Sequence, residues 1–156
     1  MAMERTLVLV KPDAIQRGLI GEIVGRFERK GLKLVGMKMM SLDGAILREH
    51  YAHLADKPFF GSLSAFMQSN PVIAMCWEGL ECVDAVRLLC GITKARAAES
   101  GSIRGDLAMS VSCNVVHASD SVENAQAEVK RFFKADEIYD YQKSEYVHVY
   151  AEDELI

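Results

Sequence analysis

One histidine stands out among the reactive side chains of this chain. His117 closes the apolar run Cys113-Asn114-Val115-Val116 and is followed at once by Ala118-Ser119-Asp120-Ser121. Asn114, Val115 and Val116 read as the end of a buried strand. Ser119, Asp120 and Ser121 are all good N-caps for a helix. His117 is therefore expected where a strand hands over to a helix. Helix-terminal N–H groups favour negative charge there, so a phosphate is a natural ligand. The chemistry this suggests is nucleophilic. One imidazole nitrogen attacks phosphorus while a fixed acceptor holds the other N–H. Glu128 borders the apolar arc of the last helical segment, one turn before Phe132, and is the candidate holder. The hydroxyl of Ser119 is a second donor for the same carboxylate. A glutamate at such a border is otherwise a surface side chain lying across apolar neighbours.

Phosphoryl transfer also needs cations, because positioning and electrostatics carry most of its catalysis. Lys11 ends the run Thr6-Leu7-Val8-Leu9-Val10, Arg87 lies on a helical stretch, and Arg104 sits in a long Gly/Ala/Ser-rich loop with Thr93. A lysine after an apolar strand is ordinarily a solvated strand end. Arg104-Gly105-Asp106 is also an adhesion tripeptide, a reading that wants a secretory signal the N-terminal residues do not display. Lys57-Pro58-Phe59-Phe60-Gly61 is a turn with two adjacent aromatics, only one of which easily faces a core. The other is a candidate ring for stacking on a flat ligand, although both rings could equally be packed. Walker A, GxGxxG and HExxH patterns are missing, as is zinc-spaced Cys/His. Any metal is therefore expected to be Mg²⁺ brought by the ligand's own phosphates.

The elements that must position these groups follow from periodicity. Thr6–Val10 reads as a central strand buried on both faces. Ile20, Ile23, Val24 and Phe27 make an amphipathic helix ending at Gly31. Leu32–Met40 alternates as a second strand, and Leu42–Leu54 reads as helix with Tyr51 near its end. Leu63, Phe66 and Met67 mark a short helix that Asn70-Pro71 ends. Val72–Trp77 is a third apolar strand, and Cys82–Cys90 a helix with Val83, Val86 and Leu89 on one stripe. Gly91–Asp106 reads as a long loop. The fourth strand is expected over about Val111–Val116. A last helix carries Val122, Ala125, Val129, Phe132 and Phe133 on a core-facing arc, and Tyr146–Tyr150 forms an edge strand or packed tail. Four apolar strands with helices between them predict an α+β sandwich.

With 156 residues, half of them apolar, residues 1–156 suit a single domain with a sizeable core. The net charge of −4 argues against a broad nucleic-acid surface or an anionic-membrane binder. The uncharged stretch Pro58–Trp77 contains Gly61, Gln68, Asn70 and Pro71, which disfavours a spanning helix. The four cysteines form no CxxC pair and read as reduced thiols of a cytoplasmic protein.

The segment Asn114-Val115-Val116-His117-Ala118-Ser119-Asp120-Ser121 closely resembles the phosphohistidine signature of nucleoside diphosphate kinases. The likeness continues through Glu4-Arg5-Thr6, Val10-Lys11-Pro12-Asp13 and Gln16-Arg17-Gly18-Leu19-Ile20-Gly21-Glu22-Ile23. It extends to Glu49-His50-Tyr51, Lys57-Pro58-Phe59-Phe60, Trp77-Glu78-Gly79 and Ile103-Arg104-Gly105-Asp106. The resemblance implies a ferredoxin-like βαββαβ fold with a four-stranded antiparallel sheet covered by helices. It also implies ping-pong exchange of the γ-phosphate between nucleoside triphosphates and diphosphates through phospho-His117. By position, it makes His117, Glu128, Ser119, Lys11 and Tyr51 the catalytic set. Lys11, Phe59, Arg87, Thr93, Arg104 and Asn114 become the nucleotide and phosphate contacts, with Leu63 and Val111 beside the base. ATP and nucleoside diphosphates are the implied ligands, Mg²⁺ the cofactor, and a homo-oligomer, with a hexamer expected, the assembly.

Three positions depart from the pattern. Ala118 stands where most members have glycine and is expected at ordinary φ. Cys113 places a thiol beside the pocket. Thr93-Lys94-Ala95 lacks the family's proline, which is expected to loosen that loop. An idle nucleotide-binding member of the same fold and a single-strand nucleic-acid binder are the competing readings.

Overall fold

The apolar run near the start of the chain becomes an inner strand. The computed structural model describes residues 3–155. In it β1 (Met3–Val10) lies between β3 (Val72–Leu80) and β4 (Val116–Ala118), while β2 (Lys33–Met40) pairs with the far side of β3. The order is β2-β3-β1-β4 and every pair is antiparallel. This is the four-stranded sheet that the resemblance implies.

Alternate side chains of β1 point to opposite faces. Val8 and Val10 enter one core with Trp77. That core is completed by Ile23 and Phe27 of α2 (Ile20–Lys30), Val86 of α5 (Cys82–Cys90) and Ile103 of α6 (Ile103–Leu107). Leu7 and Leu9 enter the other. They meet Leu47 of α3 (Gly44–His50), Met67 of α4 (Phe60–Gln68) and Phe132 of α7 (Val122–Phe132). With helices on both faces, β1 and β3 have no wet side, so their sequences run apolar instead of alternating. The covered inner strands also leave no open face on β1 or β3 on which single-stranded bases could stack.

Several boundaries move from their sequence positions. The helix expected over Leu42–Leu54 is Gly44–His50, because Asp43 caps it by accepting from the Ile46 N–H at 2.8 Å. Tyr51 then leaves helical geometry and a short 3₁₀ turn, Ala52–Leu54, follows. Pro12–Gln16, unassigned from sequence, forms a short helix, α1, with proline at its first position. The long loop is not structureless. It holds a 3₁₀ turn at Ala95–Ala97 and then α6, capped by Ser102, so Arg104 comes from a helix.

The C-terminal segment is a packed tail and not a strand. A register shift between Leu34 and Gly36 disrupts the β2–β3 ladder, and the Val35 carbonyl accepts from the Tyr139 N–H at 2.8 Å. The Tyr141 hydroxyl and Lys143 ammonium donate to the Leu34 and Leu32 carbonyls at 2.6 and 3.0 Å. Tyr146–Tyr150 therefore lies outside the sheet, with 3₁₀ geometry at Ser144–His148. No helix among the described residues is long and apolar enough to cross a membrane.

Candidate active site

The site begins with a strained turn. Fourth-strand pairing starts only at Val116, so the expected strand Val111–Val116 is a correction: residues 111–115 are loop. Val115 sits at φ 65°, and the Val116 N–H donates to the Asn114 carbonyl at 2.8 Å, closing a γ-turn. A buried β-branched residue in left-handed backbone costs about 1–3 kcal/mol and must be held by its surroundings. Three groups hold it. The Lys11 N–H donates to the Val115 carbonyl at 2.9 Å, and Asp13 accepts from the Val115 N–H at 3.1 Å. Arg104 donates to the carbonyls on either side, Asn114 at 3.2 Å and Val116 at 2.6 Å, and to Gly91 at 2.8 Å. Sequence patterning missed this turn because a valine there argues for a strand.

His117 is consequently the middle residue of a three-residue strand, opposite Leu9. Its Nε2 lies 3.1 Å from Glu128 Oε2, and the Ser119 hydroxyl donates to the same oxygen. Nδ1 is the nitrogen left for attack. The three serine-type caps divide their work. Ser121 is the N-cap of α7, accepting from the Asn124 N–H at 3.1 Å, while Ser119 serves Glu128. Ala118 is not in left-handed backbone, so no glycine is needed there.

His117 lines a cleft of about 840 Å³, a volume suited to a nucleotide-sized ligand. Lys11, Tyr51, Phe59, Arg87, Thr93, Arg104, Asn114 and Glu128 line it too, drawn from α5, α6, α7 and the turns between elements. Phe59 is the exposed member of its aromatic pair, while Phe60 is half-buried. Leu63 and Val111 stand on the same wall. Ser119 is fully buried behind Glu128. Cys113 is exposed, whereas Cys76, Cys82 and Cys90 are buried free thiols.

The cations are held in advance. Lys11 is buried, donates to Asn114 Oδ1 at 2.8 Å and to the Ser112 carbonyl at 2.7 Å, and lies over the Phe66 ring. Burial lowers its pKa to about 8, opposed by Asp13 and reinforced by Arg104. Arg104 is lowered as well, first by burial and then by nearby Arg87. Asn114 ties the walls together by donating to the Thr93 and Val111 carbonyls at 3.1 and 2.9 Å. Buried Arg104 also ends the adhesion reading, since its guanidinium faces backbone carbonyls. A side chain at Gly105 would collide with the Glu99 carbonyl.

On the acid side, burial pushes Glu128 up, but hydrogen bonds from His117 and Ser119 outweigh it and hold the carboxylate below its usual range. Burial and Glu128 raise the Tyr51 phenol to about 12. His50, quoted above only within the family match, is also part of this cluster. Its ring centroid lies 4.5 Å from that of His117 and 4.7 Å from that of Tyr51. Burial and the charge of His117 lower its pKa to about 3, so it is neutral. The available signal was helical spacing, since His50 follows Ile46 and Leu47 on the apolar face of α3. His50, His117 and Glu128 bring ligand-type atoms within 4.8 Å of one another. A metal is nonetheless ill served there, because Arg131 donates to His50 Nδ1 at 3.1 Å and His117 and Ser119 already share Glu128 Oε2.

A sequence model described as Nucleoside diphosphate kinase matches residues 4–138. A nucleoside diphosphate kinase of Parabacteroides distasonis is 57% identical over 153 residues, covering 98% of this chain and all of that one. One from Pyrococcus abyssi is 52% identical, covering 91% of each chain. The solved structure of a halophilic nucleoside diphosphate kinase from Halobacterium salinarum, in complex with CDP, superposes with a TM-score of 0.93. It is 46% identical and covers 96% of this chain and 99% of that one. The chain belongs to the nucleoside diphosphate kinase family.

Proposed function

We propose that this enzyme moves the γ-phosphate of a nucleoside triphosphate, chiefly ATP, onto nucleoside diphosphates by a ping-pong route through His117. The observation that carries the reading is the His117 Nε2–Glu128 Oε2 contact of 3.1 Å at a cleft walled by Lys11, Arg87 and Arg104. In the first half, the Nδ1 lone pair attacks the γ-phosphorus. A P–N bond forms, the bond to the β–γ bridging oxygen breaks, and the diphosphate leaves with that electron pair. The Nε2 proton stays between His117 and Glu128, whose negative charge compensates the imidazolium character that develops. In the second half, a β-phosphate oxygen of the acceptor attacks the same phosphorus and the P–N bond returns its electrons to the ring.

Lys11, Arg87 and Arg104 meet the phosphate charge, with Thr93 as neutral donor and Tyr51 beside the reacting ring. Lys11 and Asn114 also read the sugar hydroxyls. Phe59 stacks on the base, and a stacked ring reads a π face, so broad base tolerance follows. The carboxylates lining the cleft are Glu49, Asp120 and Glu128. Glu128 is committed to His117 and Ser119, so the donor set suits Mg²⁺ that arrives on nucleotide phosphates and keeps its waters. The ion would screen phosphate charge.

The whole chain acts as one unit in the cytoplasm, a reading supported by the single sheet and its free thiols, three of them buried. Two apolar surfaces support assembly into a hexamer. One is the outer edge of β2, with exposed Met37 and Met39; the other is the loop region with exposed Ile92 and Met109. Incubation with ATP and a panel of diphosphates should yield the matching triphosphates in the presence of Mg²⁺, with modest spread across bases. Nucleotide binding without exchange would make the chain an idle member of its family.

A further inference from the structure

Beside Glu128 lies an arginine–histidine contact that the reaction above does not use. Arg131 follows Glu128 by three residues on α7, so the two side chains share a face. Its Nη1 donates to Nδ1 of His50 at 3.1 Å, and its Nε lies 3.3 Å from Glu49 Oε1. A guanidinium can only donate, so Nδ1 must be the unprotonated nitrogen of His50 and Nε2 must carry the hydrogen. That Nε2 is buried with no hydrogen-bond partner among the described residues, enclosed by the rings of His117, Tyr51 and Phe132. The same Nδ1 lies 3.9 Å from Glu128 Oε1.

The two tautomers of His50 thus differ in what they ask of Glu128. With hydrogen on Nδ1, the ring would be a competing donor beside the carboxylate that holds His117. With hydrogen on Nε2, it makes no claim on Glu128. We propose that Arg131 is a positioning residue that locks His50 in the Nε2–H form and so keeps Glu128 committed to His117 and Ser119. This deepens the phosphohistidine reading and rests on it. His50 faces His117 from β4, Glu128 and Arg131 from α7, and Tyr51 and His53 from its own side. Of these, His117, Arg131 and His53 oppose a charge on His50, and Glu128 favours one.

The test compares the full-length protein with Arg131→Met and Arg131→Lys by two readouts. Ring ¹⁵N shifts report the His50 tautomer in the free protein, and rapid quench with labelled ATP reports the rate of His117 phosphorylation from pH 5.5 to 8.5. The expected wild-type spectrum is neutral His50 protonated at Nε2. Arg131→Met should move hydrogen toward Nδ1 and slow phosphorylation about tenfold, the scale of losing an orienting partner. Arg131→Lys, which retains a charged donor, should restore much of both. An unchanged His50 spectrum in Arg131→Met, or a changed one with the rate within twofold of wild type, overturns the proposal while leaving the phosphohistidine reading intact. A wild type that takes no acid-labile label overturns both.

Discussion

Lys11 shows how one residue can be read correctly in type and still hide its character. The end of an apolar strand ordinarily marks a solvated lysine, and the phosphate chemistry expected of His117 is what aims it at a ligand. Only the structure shows it buried, paired with Asn114 and the Ser112 carbonyl, with a pKa lowered to about 8 by burial. A bound phosphate favours the ammonium, so affinity should be full below about pH 8 and fall as pH rises through it. Calorimetric titration of ADP should show roughly tenfold weaker binding by pH 9.5 than at pH 7.5, the scale of one charge-assisted hydrogen bond. Affinity that stays flat across this interval would contradict a lowered Lys11. Glu128 was legible because helical spacing put it at the border of an apolar arc. His50 and Arg131 were not, because their significance lies in a contact between two helices, α3 and α7, that periodicity within either cannot report.

At the scale of elements, hydrophobic pattern identified three of the four strands and the long helices, since β1, β3 and the stripes of α2 and α5 bury what their periodicity says, while Val122 of α7 stays exposed. It failed where tertiary contacts override local preference. The γ-turn at Val115 is imposed by Lys11, Asp13 and Arg104, none of them adjacent in sequence. Val115→Gly relieves about 1–3 kcal/mol of strain but gives up about 1.5–3 kcal/mol of buried side chain. Its net change in stability should therefore lie within about 2 kcal/mol of zero. Val116→Gly loses a similar side chain with no strain to relieve, and should cost about 3 kcal/mol or more. Urea unfolding of the two variants checks the contrast; equal losses would mean the turn is not strained. The tail was ambiguous from sequence because Tyr146–Tyr150 alternates like a strand. Yet its segment bonds to carbonyls near the start of β2 through side chains and a single backbone N–H.

For the whole molecule, one sheet with a core on each face places a strand end, five helices and the turns between them around a single cleft. Apolar surface remains at the β2 edge and at the loop bearing Ile92 and Met109, and both are expected to be covered by further copies of the chain. Light scattering on the purified protein should give the mass of a hexamer, with a tetramer or dimer contradicting that assembly. The central claim is the covalent relay at His117. Incubating the protein with γ-labelled ATP and Mg²⁺, without acceptor, should leave a label that is labile in acid and stable in base. The label should pass to added diphosphate and be missing from His117→Ala. A label that survives acid, or one that persists in His117→Ala, would contradict the phosphohistidine mechanism.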